Sequence, residues 1–254
     1  MIFYLGTHET SWLGKTDVPL FISRRRLAMR KACPRALGHW ALDSGGFTEL
    51  SMFGEWRTSP EQYVSEVRRW SVEIGNLDWA AIQDWMCEPW ILEKTGKTVA
   101  EHQALTIQSY LTLRDMAPEV PWCPVLQGWT NGDYLDHVEQ YEAAGVDLRT
   151  FPVVGLGSVC RRQHMLRITI LIRELQRYGI KLHGFGFKTK GLQLAHASLA
   201  SSDSLSWSYD ARRNAPIKGH THKNCANCLE WALEWRDNML SNLGGHSQGL
   251  LEVA

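Results

Sequence analysis

Hydrophobic positions fall into two alternating kinds of run. Short apolar stretches rich in aromatic and β-branched residues predict strands at 1–5 (MIFYL), 19–23 (PLFIS), 39–43 (HWALD), 79–84 (WAAIQD), 122–127 (WCPVLQ), 151–157 (FPVVGLG), 181–187 (KLHGFGF) and 198–207 (SLASSDSLSW). Longer stretches of helical periodicity lie between them. One opens like a capping box at Ser59-Pro60-Glu61-Gln62 and runs to about Gly75. Others are predicted over 98–117, over 131–144 with Asn131 or Asp133 as cap and Gly145 as stop, over 161–178, over 189–197 and over about 225–243. No repeat or low-complexity segment interrupts the series.

Strands that alternate with helices predict parallel βαβ units. About eight strands fit a (β/α)8 TIM barrel, with a doubly wound open sheet as the alternative. Polar residues favour the barrel. Asp43, Asp84, Gln127, Gly157 with Ser158, Lys188 and Asp203 sit at or near the C-terminal ends of the predicted strands. A barrel gathers such ends at one mouth; an open sheet spreads them along an edge.

Composition narrows the picture. The chain has 254 residues, 44% of them hydrophobic, enough for a single domain over 1–254. Lys plus Arg balances Asp plus Glu at 27 each, so nucleic acid would have to be held by a local basic face. No apolar run reaches the roughly 18 residues of a membrane helix, and the N-terminus reads as a first strand. A soluble cytoplasmic protein is expected, without membrane partners. Cys33, Cys87, Cys123 and Cys160 are scattered and read as reduced core thiols. Twelve tryptophans offer core packing or a stacking surface for bases.

The chemistry concentrates in a few places. Asp43 and Asp84 each end a predicted strand and Asp203 sits in SSDSLSWSYDARR, and carboxylates at one mouth suit glycosidic chemistry, one attacking an anomeric carbon and another moving protons. Glycines in SGGF (44–47), QG (127–128), GLGS (155–158) and GFG (184–186) let a ligand approach backbone closely. His220, His222, Cys225 and Cys228 fall within nine positions, with His246 farther on; two thiolates and two imidazoles suit a closed zinc site, with a redox cysteine pair or unrelated surface histidines as the alternatives. This zinc-binding segment is placed at about 215–250. Arg161, Arg162, Arg212 and Arg213 lie near the proposed mouth as candidate phosphate contacts.

In their order, DSGGF, IQD, LQG, GLG, HGFG and DSLSWSYDAR, followed by Cys-x-x-Cys and a later histidine, resemble the tRNA-guanine transglycosylase superfamily, over about residues 39–246. The resemblance implies an irregular (β/α)8 barrel with a small C-terminal structural Zn2+ subdomain. It implies an enzyme, a pentosyltransferase, that exchanges guanine in a nucleic acid for a free 7-deazaguanine base such as preQ0. Residue by residue, it gives Asp203 as nucleophile on C1′ and Asp43 as the carboxylate that handles the protons of leaving and entering bases. Asp84 would read the guanine-like edge. Gln127 and the backbone of Gly128, Leu156 and Gly157, joined by Ser44, would hold the exocyclic oxygen. Phe47 and His183 would sandwich the base. The first cysteine of the family's Cys-x-Cys-x-x-Cys falls at Lys223. His222, with His220 as the alternate, therefore stands in beside Cys225, Cys228 and His246.

The chain is shorter than the tRNA enzymes, and its DSLSWS and CANCLEWALEW segments are most similar to the DNA-modifying, DpdA-type branch of phages and some bacteria. DNA is the expected polymer and tRNA the alternative. A helper that opens duplex DNA and a second copy of the chain stand as candidate partners. Two other readings are a hydrolase that releases the base to water and a zinc-stabilised nucleic-acid-binding module without catalysis.

Overall fold

The computed structural model describes residues 1–159, 165–187 and 189–249, except for the side chains of 165, 189, 190 and 244–249. The strands are β1 (Ile2–Thr7), β2 (Leu20–Ser23), β3 (Trp40–Asp43), β4 (Leu77–Ala81), β5 (Trp122–Cys123), β6 (Val125–Leu126), β7 (Val154–Leu156), β8 (Leu182–Gly184) and β9 (Ser201–Ser204). All the ladders are parallel, in the order β5-β4-β3-β2-β1-β9-β8-β7-β6. The two ends of that order are halves of one stretch, parted only by Pro124. Proline has no N–H to give a ladder, but the Pro124 carbonyl still accepts from the Gly155 N–H at 2.8 Å. The sheet thus closes on itself as a barrel of eight staves, and the open-sheet alternative falls away.

The helices are α1 (Arg24–Ala28), α2 (Gly46–Phe53), α3 (Pro60–Ile74), α4 (Pro89–Thr95), α5 (Val99–Met116), α6 (Asn131–Ala143), α7 (Met165–Arg177), α8 (Thr189–Ala195), α9 (Ser206–Ala211) and α10 (Leu229–Gly249). The Ser59 side chain caps α3 by accepting from the Gln62 N–H, with Pro60 in the first turn. At α6 the cap is Thr130, with Asp133 completing a capping box three residues on, one position earlier than the sequence suggests. The predicted strand over 198–207 ends at Ser204, because Ser206 begins α9.

Alternation along the strands separates two cores. Phe3, Leu5, Leu20, Ile22, Trp40 and Leu42 face outward and pack under the helices. Tyr4, Phe21, Ala41, Trp79, Ala81 and Cys123 face inward and fill the barrel. Deep in the barrel, the Tyr4 hydroxyl donates to Asp78 at 2.8 Å and accepts from the Trp79 indole at 3.3 Å. On β3, Asp43 shares the parity of Ala41 and therefore points inward; on β9, Asp203 lies in register with Tyr4. Alternation alone carries both acids into the lumen. No helix among the described residues is long and apolar enough to cross a membrane.

Candidate active site

A cavity of about 270 Å³ opens at the C-terminal ends of the strands. Its walls carry four carboxyl groups, Asp43, Asp84, Glu88 and Asp203, together with Gln127, Ser158, Gly46 and Gly157, and an apolar set that includes Phe21, Phe47, Met86 and Phe185. Asp43, Asp84 and Asp203, more than a hundred residues apart at the extremes, therefore share one space.

Asp203 is held from behind. Its Oδ1 accepts from the Gly186 N–H at 2.8 Å and lies 3.3 Å from His183 Nε2. His183 is in turn fixed through Nδ1 at 2.9 Å from Ser201 Oγ. Oδ2 of Asp203 has no hydrogen-bond partner among the described residues. One oxygen is anchored while the other is available to the cavity, an arrangement suited to a nucleophilic carboxylate. Burial raises the pKa of Asp43, and the nearby Asp203 charge adds to the rise, against hydrogen bonds from Ser23 and Gly45. A carboxyl pushed toward its protonated form and facing the cavity is suited to acid–base work on a leaving group.

Asp84 stands at the head of a polar chain. Gln127 donates through Nε2 to Asp84 Oδ2. Gln127 Oε1 lies 2.7 Å from Ser158 Oγ, which lies 2.7 Å from Glu88 Oε2 and accepts from the Cys87 N–H at 2.9 Å. Ser44 Oγ approaches Asp84 Oδ1 at 3.4 Å. Burial pushes Asp84 up to about 7; the Gln127 hydrogen bond opposes this, while the charges of Asp43 and Glu88 add to it. Gln127 is fully buried; its backbone N–H donates to His137 Nδ1 at 2.9 Å. A β-carbon on Gly157 would fall 2.2 Å from Gln127 Nε2, so this glycine gives the amide its space.

Other expected residues play narrower parts. The Gly157 N–H already serves Leu126 O and its carbonyl accepts from the Tyr134 hydroxyl, so its backbone polar groups are engaged. The Leu156 side chain belongs to the outer core. Gly128 does not line the cavity; it allows close approach to Asp133 and Tyr134 of α6. Phe47 does line it, with its ring edge-on to Trp90 at 5.9 Å. His183 is completely buried, packed against Trp79 and Phe185, and is not among the residues lining the cavity. The ring that reaches the cavity from this segment is Phe185. Arg212 and Arg213 are exposed beyond α9, with Arg213 over the Tyr209 ring. Arg161, Arg162 and Lys188 lie outside the described residues.

Glu88 and Phe185 are functional candidates the sequence reading missed; Ser158 was placed at the mouth but given no role. Glu88 precedes Pro89 and looks like the N-cap of α4, which it is by backbone, but its side chain makes no cap bond and turns inward.

The C-terminal cluster also forms. Ligand atoms of His220, His222, Cys225 and Cys228 all lie within 4.8 Å of one another. His222 Nε2 is 3.1 Å from Cys225 Sγ, and His220 Nδ1 is 3.9 and 3.8 Å from the two sulfurs. A tetrahedral zinc with N and S ligands has edges of about 3.3–3.8 Å, so the set fits that ion. The surroundings fit as well. His220 Nε2 is 3.1 Å from Glu230, and the Ile217 N–H points at Cys225 Sγ at 3.4 Å. His220 completes the four, the place the sequence assigned to His246. The side chain of His246 lies outside the described residues.

Over residues 1–248 the chain matches the family described as DpdA, DeoxyPurine in DNA protein A. No curated protein matches it in sequence. Among solved structures, it is similar to a proposed fructose-1,6-biphosphate aldolase from Coccidioides immitis, at 10% identity and TM-score 0.50, over 97% of this chain and 91% of that one. It is also similar to a proposed isomerase from Sinorhizobium meliloti, at 11% identity and TM-score 0.43, over 79% of this chain and 49% of that one. At 10% identity the aldolase comparison speaks to the barrel fold alone.

Proposed function

The chain belongs to the DpdA family, and from that membership we propose that it exchanges guanine in DNA for a free 7-deazaguanine base. The observation that carries this reading is the convergence of Asp43, Asp84 and Asp203 on one cavity.

In the proposed reaction, Asp203 attacks C1′ of a deoxyguanosine, the C1′–N9 bond breaks, and guanine leaves with the electron pair and a proton from Asp43. A glycosyl ester on Asp203 remains. The incoming base then gives its N9 proton to Asp43 and attacks C1′, and the ester bond breaks. Two displacements retain the configuration. Ionised Asp84 accepts from the N1–H and N2–H₂ donors of a guanine-type edge, Gln127 faces the 6-oxo group, and Phe47 and Phe185 flank the ring. The target nucleotide must leave its stack to reach this depth, at a cost of a few kcal/mol in duplex. Arg212 and Arg213 supply phosphate contacts, with Arg161 and Arg162 as further candidates.

We assign zinc to the His220, His222, Cys225, Cys228 set. When bound it cross-links the segment before α10; no chemical step passes through it.

The test offers DNA and tRNA side by side with labelled 7-cyano-7-deazaguanine. Label entering DNA supports the reading. Label entering tRNA alone replaces the polymer, and free guanine released without uptake of label indicates a hydrolase.

A further inference from the structure

Ser158 holds a position that the base-exchange reading leaves unused. It is buried, it adopts φ of +53°, and its hydroxyl touches three groups at once. The Cys87 N–H donates to it at 2.9 Å; Gln127 Oε1 and Glu88 Oε2 each lie 2.7 Å away. A serine hydroxyl has one proton to give. Gln127 Oε1 and an ionised Glu88 are both acceptors, so one proton cannot satisfy both. Two arrangements resolve the conflict. In the first, Glu88 carries a proton and gives it to Ser158, Ser158 gives its own to Gln127 Oε1, and the Gln127 amide donates to ionised Asp84. In the second, the amide is turned over: Asp84 is protonated and donates to Oε1, Nε2 donates to Ser158, and Ser158 donates to ionised Glu88. Each holds one proton between Asp84 and Glu88, and the two differ in the polarity of Gln127.

We propose that Ser158 and Glu88 are specificity-determining residues that set the direction of the Gln127 amide, and with it the choice between 6-oxo and 6-amino bases. The inference rests on the base-exchange reading. A 2-amino-6-oxo edge presents donors at N1 and N2, so it requires ionised Asp84 and the first arrangement. A 6-amino group is a donor and meets an acceptor, Gln127 Oε1, only in the second, where the Asp84 proton is already given to Oε1 and none is left for N1. Gly157 borders the amide on one side, so closely that a β-carbon there would overlap it. Ser158 is thus the group through which Glu88 acts on the reader without touching the base edge. Holding a non-glycine residue in the left-handed region carries a conformational cost, which is consistent with the hydroxyl being needed where it is.

The experiment measures binding of two free bases to the full chain by titration calorimetry: 7-cyano-7-deazaguanine and its 2,6-diamino counterpart. Ser158→Gly deletes the hydroxyl and suits the positive φ, so the fold is spared the strain of alanine. Glu88→Gln keeps a donor for Ser158 without a titrating proton. Wild type is expected to prefer the 6-oxo base. Ser158→Gly should narrow that preference at least tenfold, and Glu88→Gln should preserve it. A purely structural role would weaken both bases alike. An unchanged ratio in Ser158→Gly, or a lost preference in Glu88→Gln, overturns the inference while leaving base exchange intact. Failure of the wild type to bind either base overturns the base-exchange reading and this inference with it.

Discussion

Asp84 is the residue at which function and stability conflict most directly. A carboxyl moved from 3.8 to about 7 represents a difference on the order of 4 kcal/mol between its charge states. Between those values the native protein holds a proton that the unfolded chain has released. Stability therefore falls as pH rises from about 4 to about 7, while the ionised form that base recognition needs is gained. Asp84→Asn should flatten that fall in urea unfolding and stabilise the protein at pH 8. It should also lose 7-deazaguanine binding by more than about a hundredfold, since an amide cannot replace the accepting pair. Equal slopes for variant and wild type would contradict the assignment. Gly157→Ala makes the complementary case: its methyl would strike the Gln127 amide, and base affinity should drop about tenfold or more, with a lower melting temperature from the overpacked core. Asp43, Asp84 and Gln127 were legible in the sequence because each ends an apolar run. Glu88 was not, because a glutamate before proline reads as a helix start. Phe185, not His183, lines the cavity, because the resemblance points to a segment but not to which neighbour's ring reaches the lumen.

At the scale of elements, each predicted strand overlaps an observed one, since a buried parallel strand declares itself as a short apolar run. The helices that escaped notice are α1, α2, α4 and α9, of five, eight, seven and six residues. None is long enough to show a 3.6-residue period over more than about two turns. Three of them follow directly on β2, β3 and β9, where their N-terminal ends border the mouth. The turn SGGF is one such place: Gly45 at φ +84° lets the chain reverse from β3 into α2, and Gly46 faces the cavity. The metal-binding segment was legible from spacing, but not its full set: His220 and His222 were read as alternatives for one place, whereas both join the two cysteines in the cluster. Metal analysis should find about one zinc per chain. Cys225→Ser should lose it, with a melting temperature lower by on the order of 10 °C, equivalent to a few kcal/mol in a chain this size. A stable, metal-free protein would refute the site.

For the whole molecule, closure of the sheet at Pro124 does the essential work. It brings strand ends from opposite halves of the chain around one cavity, so that the proposed nucleophile on β9 faces the proposed proton carrier on β3 and the edge reader after β4. The net charge of zero provides no long-range pull on a polyanion, so attraction has to be local, with Arg212 and Arg213 as the proposed contacts. Association with DNA should accordingly weaken with salt in proportion to a few phosphate contacts rather than many. The central claim is covalent exchange at Asp203. Its most direct test is incubation of the protein with guanine-containing DNA and labelled 7-cyano-7-deazaguanine, followed by nucleoside analysis, for wild type and Asp203→Ala in parallel. The account predicts label in the DNA with wild type and none with the variant. Label that still enters DNA with Asp203→Ala, or none with wild type even on single strands, would contradict it.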